Sequence, residues 1–320
     1  MNSDHQRTLE LLHQRSDFQA RLNLLLNLYG FKLFVDKENE HMERKIRQQV
    51  RGFRTQDGAG VNLVRVLGPG TVKEYDPILM LDSFDSINPD DYTAGFPMHP
   101  HRGIETISYV YRGQMTHRDS LGNEDTIADG EVQWMTAGSG ILHEERLPAS
   151  ERLLGVQLWL NLPAKNKMVA PVYHSIKNSE IEEISFDNGK MRLLAGEYKN
   201  KKGYISKYLP LDYYDLHLNL NASIVIDTER ERSVMVFTLS GDAYIGGERV
   251  KEKTAVKLTS GDYVEIKATD KNAQVLFISS TLLGESVAWG GPIVMNTEEE
   301  LNKAFDDLKR GTFLQKEISY

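Results

Sequence analysis

The chain has 320 residues, more than the roughly 250 to 300 at which a single core usually stops growing, so two domains are expected. Its formal net charge of −8 argues against a nucleic-acid scaffold, because affinity for phosphate backbones comes largely from clustered Lys and Arg. It contains no cysteine, which excludes disulfides, thiolate metal sites and cysteine nucleophiles and is compatible with a reducing cytosol.

In residues 1–41, Leu11, Phe18, Leu22, Leu25 and Tyr29 recur at helical spacing, and Gly30 is placed to stop the helix. The run from Leu22 to Val35 is broken by Asn23, Asn27, Gly30 and Lys32, so it predicts neither a membrane span nor a signal peptide. A cytoplasmic protein with no membrane contact is expected. The segment is an N-terminal helical extension, either outside the mature fold, which would then begin near Met42, or a docking helix for a partner.

From Val61 onward, short β-rich runs alternate with turn residues, the pattern of an all-β sandwich or barrel. Strands are expected at Val61 to Leu67, Ile78 to Leu81, Glu105 to Tyr111, Met115 to Arg118, Gln133 to Thr136, Ile141 to Glu145 and Val156 to Leu162. Arg112-Gly113, Leu121-Gly122-Asn123 and Asp129-Gly130 supply the turns.

Within this block stand His99-Pro100-His101 and His143-Glu144-Glu145. In a strand, side chains at i and i+2 share a face, so His99 pairs with His101 and His143 with Glu145. Two strands could aim both pairs at one metal ion. Imidazole and carboxylate donors suit Fe(II), Mn(II), Co(II), Ni(II), Cu(II) or Zn(II), and donor type does not choose among them. His117, by contrast, is expected simply to hydrogen-bond Asp119. Trp134, Trp159 and Trp289 are expected to fill core more often than to line a pocket.

A second β-rich block follows Pro163. The turns at Gly113 and Gly130 resemble those at Gly241 and Gly261, which suggests a duplicated barrel. Counting from these glycines, Glu229 stands where the first block has His101, and Gln274 where it has His143. One barrel is therefore expected to bind metal and the other to lack ligands. Near the C-terminus, Thr297 and Glu300 form a capping box, Leu301, Ala304, Phe305 and Leu308 follow at helical spacing, and Gly311 offers a stop.

The runs Phe96-Pro97-Met98-His99-Pro100-His101-Arg102-Gly103-Ile104-Glu105-Thr106, His117-Arg118-Asp119-Ser120-Leu121-Gly122 and Gln133-Trp134-Met135-Thr136-Ala137-Gly138-Ser139-Gly140-Ile141-Leu142-His143 closely resemble the pirin family. Leu158-Trp159-Leu160-Asn161-Leu162 and Gly291-Pro292-Ile293-Val294-Met295-Asn296-Thr297 extend the resemblance to the C-terminal region. It implies a bicupin: a metal-binding cupin barrel over 42–163 and a second barrel without metal ligands over 164–320. The C-terminal helix is expected to cover a barrel mouth or edge. Carried over by position, the metal ligands would be His99, His101, His143 and Glu145. The general cupin pattern would nominate Glu105 instead, but four residues of regular strand from His101 span roughly 13 Å. Glu145 is preferred, with Glu105 left to orient an imidazole.

The resemblance also implies a quercetin 2,3-dioxygenase-like activity. A flavonol-like aromatic substrate would be cleaved with O2 and release of CO, with one divalent ion, Fe(II) first, and Glu145 as both ligand and general base. The alternative is an iron-binding regulatory protein with a protein partner and little or no oxygenase activity. A third reading, a non-redox cupin enzyme acting on a sugar or keto acid, would need cations at the metal, for which Arg102 and Arg118 are nearest in the chain.

Overall fold

The computed structural model describes residues 41–315. The helix expected from Leu11 to Tyr29 lies outside them. Each β-rich block builds one seven-stranded and one four-stranded antiparallel sheet. In the first barrel the larger sheet runs, in spatial order, Val172–Ile176, Glu131–Thr136, Ile104–Arg112, Leu153–Asn161, Ile78–Ser86, Val61–Leu67 and Phe53–Asp57. The smaller sheet runs Phe96–His101, Ile141–Arg146, Met115–Asp119 and Glu124–Ile127. Between the two sheets pack Leu63, Phe84, Val110 and Leu153 from one side and Met115 and Ile127 from the other.

The outer faces of the two large sheets form a second layer of core. Ile107, Tyr109, Trp134, Leu158 and Leu160 of the first barrel join Leu211, Tyr213, Phe237, Leu276 and Ile278 of the second in one buried cluster. Period-2 alternation explains the division: on Leu153–Asn161, Leu158 and Leu160 face the second barrel, while Gln157 and Trp159 face the first barrel's interior. Strands buried on both faces read as nearly continuous apolar runs. Ile78–Ser86 therefore continues well past the expected end at Leu81, because Asp82 stays in the strand by accepting two bonds from Arg65.

The barrels exchange strands. Ile46–Arg51 pairs with Thr254–Leu258 and so belongs to the second barrel's large sheet. Val172–Ile176, beyond the boundary expected at 163/164, pairs with Glu131–Thr136 of the first.

The register inferred for the repeat is corrected by the topology. Gly130 precedes the strand Glu131–Thr136, whereas Gly261 follows the corresponding strand Thr254–Leu258. The counterpart of the Phe96–His101 and Ile141–Arg146 pair is Ser223–Asp227 with Tyr263–Ala268. There the buried side chains are Ile224, Ile226, Val264, Ile266 and Ala268, so hydrocarbon fills the space that the first barrel gives to imidazoles. Gln274 instead lies on the strand matching that of Gln157, and Glu229 lies outside the strands.

The helix Glu298–Arg310 starts on the expected box: Thr297 Oγ1 accepts from Glu300 N at 3.2 Å, and Glu300 Oε2 accepts from Thr297 N at 3.0 Å. It ends at Gly311, whose φ of 71° is the left-handed cap. Leu301 and Ala304 pack on Ala288, Ile293 and Met295. The helix thereby holds the Ala288–Gly290 and Ile293–Met295 hairpin against the first barrel. No helix among the described residues is long and apolar enough to cross a membrane.

Candidate metal centre

The two histidine motifs sit on neighbouring strands. His143 is registered opposite His99, and Ile141 opposite His101, so the imidazoles meet on one face of the sheet. Phe96–His101 is an edge strand, which tolerates Pro97 and Pro100 because their missing N–H groups are not needed by a second neighbour. One donor atom from each of His99, His101 and His143 lies within 4.8 Å of the others.

The outer nitrogens show which atoms are free. His99 Nδ1 lies 2.8 Å from the carbonyl oxygen of Pro97, and His101 Nδ1 lies 2.9 Å from that of Pro292. A carbonyl only accepts, so each Nδ1 carries a proton, and in the neutral ring Nε2 is then the atom with a lone pair. Those two Nε2 atoms face one another at 3.1 Å. His143 Nε2 is buried with no hydrogen-bond partner among the described residues. Burial, with neighbouring His99, lowers the pKa of His101 to about 3, and burial drives that of His143 well below its ordinary value. Three imidazole nitrogens brought to one place fit a transition-metal ion, which neutral imidazoles ligate.

Glu145 lies outside that three-residue group. Its buried carboxylate accepts from Gln133 Nε2 at 2.5 Å and from Gln157 Nε2 at 3.0 and 2.9 Å. Glu105 faces the other way. It is registered opposite Thr136, whose hydroxyl donates to it at 2.6 Å, and burial raises its pKa. Neither arginine proposed for a polar substrate site points to the histidines. Arg102 is buried against Ser139 O, Phe313 O and Asp307, and Arg118 is exposed and pairs with Glu144.

Beside His99 and His101 opens a cavity of about 590 Å³, within the usual range for a small-molecule site. Met80, Phe96, Trp159 and Trp289 give it an apolar wall, and Arg65 with Asp57 and Asp82 a charged one. Trp159 stands edge-on to His101 at 4.9 Å between ring centroids and lies 5.7 Å from Trp289. Of the three tryptophans, Trp134 is core as expected, Trp159 is a buried core residue that also borders the cavity, and the partly buried Trp289 lines it.

Residues 29–160 match the family profile described as Pirin, and residues 213–314 that of the Pirin C-terminal cupin domain. The chain belongs to the pirin family. It is 38% identical over 275 residues to a pirin-like protein of Caulobacter vibrioides, covering 84% of this chain and 99% of that pirin. With human Pirin it shares 36% over 273 residues, 83% of this chain and 92% of the relative. The solved structure of a quercetin 2,3-dioxygenase from Acinetobacter baumannii superposes with a TM-score of 0.79 at 30% identity, covering 85% of this chain and 98% of that one. This pirin therefore has two cupin-type domains, with the three-histidine group in the first.

Gln133, Gln157 and the Pro292 carbonyl are not legible in the sequence as groups of the site. Neutral amides and backbone oxygens carry no motif of their own. His117 and Asp119 were legible as a hydrogen-bonded pair from their i, i+2 spacing, but not as neighbours of His143.

Proposed function

We propose that this protein is a metal-dependent dioxygenase that cleaves flavonols such as quercetin with O2 and releases CO. His99, His101, His143 and Glu145 would hold one divalent ion, Fe(II) first. The observation that carries this reading is the approach of His99 Nε2 to His101 Nε2 at 3.1 Å, beside an aromatic-walled cavity. The similarity to a quercetin 2,3-dioxygenase supports the substrate class.

When bound, the ion supplies Lewis acidity toward the substrate oxygen and redox chemistry toward O2. The chain's own residues do the rest. Glu145, two residues beyond His143 on the same strand face, takes the proton of the flavonol 3-hydroxyl onto a carboxylate oxygen. The amides of Gln133 and Gln157 fix the direction of that carboxylate. Trp159 and Trp289 offer faces and edges to planar rings, and Met80 and Phe96 keep water from the apolar side of the cavity.

The test reconstitutes apo-protein separately with Fe(II), Mn(II), Co(II), Ni(II), Cu(II) and Zn(II), then follows quercetin absorbance and oxygen uptake together. Coupled loss of both with at least one metal is expected. Absence of turnover with every metal would overturn the enzymatic reading.

A further inference from the structure

The three imidazoles are not supported alike. His99 and His101 turn Nδ1 to neutral backbone carbonyls, whereas His143 turns Nδ1 to another imidazole, His117, at 3.4 Å between Nδ1 atoms. His117 Nε2 in turn lies 2.8 Å from Asp119 Oδ2. His117 is fully buried, and its ring stacks on Tyr173 at 4.1 Å with 9° between planes, so it has no freedom to turn away. Asp119 is equally fixed: its Oδ1 accepts from Leu121 N at 2.8 Å and Asn123 N at 3.2 Å, and its Oδ2 also accepts from Asn123 Nδ2 at 2.9 Å.

The proton positions follow from this chain of contacts. An ionised carboxylate only accepts, so His117 carries its proton on Nε2 and presents a lone pair at Nδ1. His143 must then carry its proton on Nδ1, which leaves its buried Nε2 with a lone pair directed at the site. The opposite tautomer of His117 would set its Nε2 lone pair against the carboxylate.

We propose that Asp119 and His117 form an anionic relay that fixes the tautomer and orientation of His143 and strengthens its hold on the metal. Both are positioning residues. This inference rests on the metal-binding part of the proposed function. Partners behind a ligating histidine typically contribute about 10- to 100-fold in metal affinity.

Two variants test the relay in the full chain. In Asp119→Asn the amide oxygen can keep the turn contacts, but the amide N–H₂ then faces His117 Nε2. That reverses the His117 tautomer and places two N–H groups head to head at His143. His117→Phe keeps a ring for Tyr173 and removes both nitrogens. Ni(II) and Co(II) affinities would be measured by calorimetric titration of apo-protein, with the Co(II) absorption spectrum reporting ligand geometry. Arg118→Ala, exposed on the same strand, serves as control.

The expected result is about 10- to 100-fold weaker binding in both relay variants, an altered Co(II) spectrum and parental binding in the control. Parental affinity and spectrum in folded Asp119→Asn and His117→Phe would overturn the relay. A parent protein that binds neither ion would overturn the metal reading itself, and the relay with it. Should the variants not fold, nitrogen-15 NMR of the parent apo-protein still decides: a proton on Nδ1 of His117 contradicts the relay, and one on Nε2, with His143 protonated at Nδ1, supports it.

Discussion

His101 and Pro292 lie 191 residues apart in the chain, yet the His101 imidazole is held through Nδ1 by the Pro292 carbonyl at 2.9 Å. The candidate site of the first barrel is thus completed by the hairpin that the C-terminal helix presses into place. Arg102, adjacent to His101, ties the same region together by donating to Ser139 O, Phe313 O and Asp307.

Gly103 tests that coupling. Its φ is 82°, and a Cβ at this position would overlap the carbonyl oxygen of Val294. Gly103→Ala is expected to cost about 1 to 3 kcal/mol from backbone strain alone, and to push the Ile293–Met295 strand away. Weaker metal binding should accompany the lower denaturation midpoint. Unchanged metal affinity would show that the Pro292 carbonyl does not help to hold His101.

Glu145→Gln separates binding from proton transfer. The three histidines remain, so some metal should be retained, while loss of the base lowers flavonol turnover by about 10²- to 10⁴-fold. Metal content and the rate of quercetin loss are measured on the same preparation. Cleavage at the parental rate would remove Glu145 from the role of base.

Trp289 is partly exposed, and its ring lies tilted by 33° against Trp159 at the cavity wall. Truncation to Ala should therefore weaken flavonol binding more than it weakens the fold. An aromatic contact of about 0.5 to 1.5 kcal/mol corresponds to a roughly 2- to 10-fold rise in the flavonol dissociation constant. Quenching of the remaining tryptophan fluorescence by quercetin provides the measurement.

Lys167 gives the protein a predictable pH dependence. In its ammonium form the buried Nζ donates to Gly103 O at 2.7 Å, Asn161 Oδ1 at 2.5 Å and Val294 O at 3.0 Å, and the neutral amine keeps two of these bonds. Burial lowers its pKa from 10.5 to about 7, with Glu285 and Glu300 opposing the shift. Between about pH 7 and 10 the unfolded chain holds a proton that the folded protein has released, so unfolding takes up protons and stability rises with pH. The slope from this group is at most about 1.4 kcal/mol per pH unit, and the effect is flat below the folded pKa. Lys257, lowered to about 8 chiefly by burial, acts in the same direction. Urea denaturation of the parent and of Lys167→Met across this range should show a shallower slope in the variant. Equal slopes would refute the assignment.

Much of this arrangement was legible in the sequence because it rests on local rules. Strand parity placed His99 with His101 on one face, Val61 to Leu67 was bounded correctly at both ends, and Thr297 with Glu300 marked the helix start. Long-range choices were not legible. Nothing in Ile-Arg-Gln-Gln-Val-Arg at Ile46–Arg51 says which barrel's sheet it will join. The repeat was misregistered because glycines mark turns without saying whether a turn precedes or follows its strand. Arg102 reads as a pocket cation by proximity, but the positive φ of Gly103 beside it and the C-terminal helix behind it give that side chain a buried set of partners instead.

The most direct test of the central claim is the metal content of the purified protein, measured by plasma mass spectrometry after reconstitution and removal of loose metal, beside His101→Ala and His143→Ala. About one equivalent of a divalent transition metal is predicted for the parent, with strong depletion in both variants. A parent that retains none, or variants that retain as much as the parent, would contradict a metal centre built on these histidines.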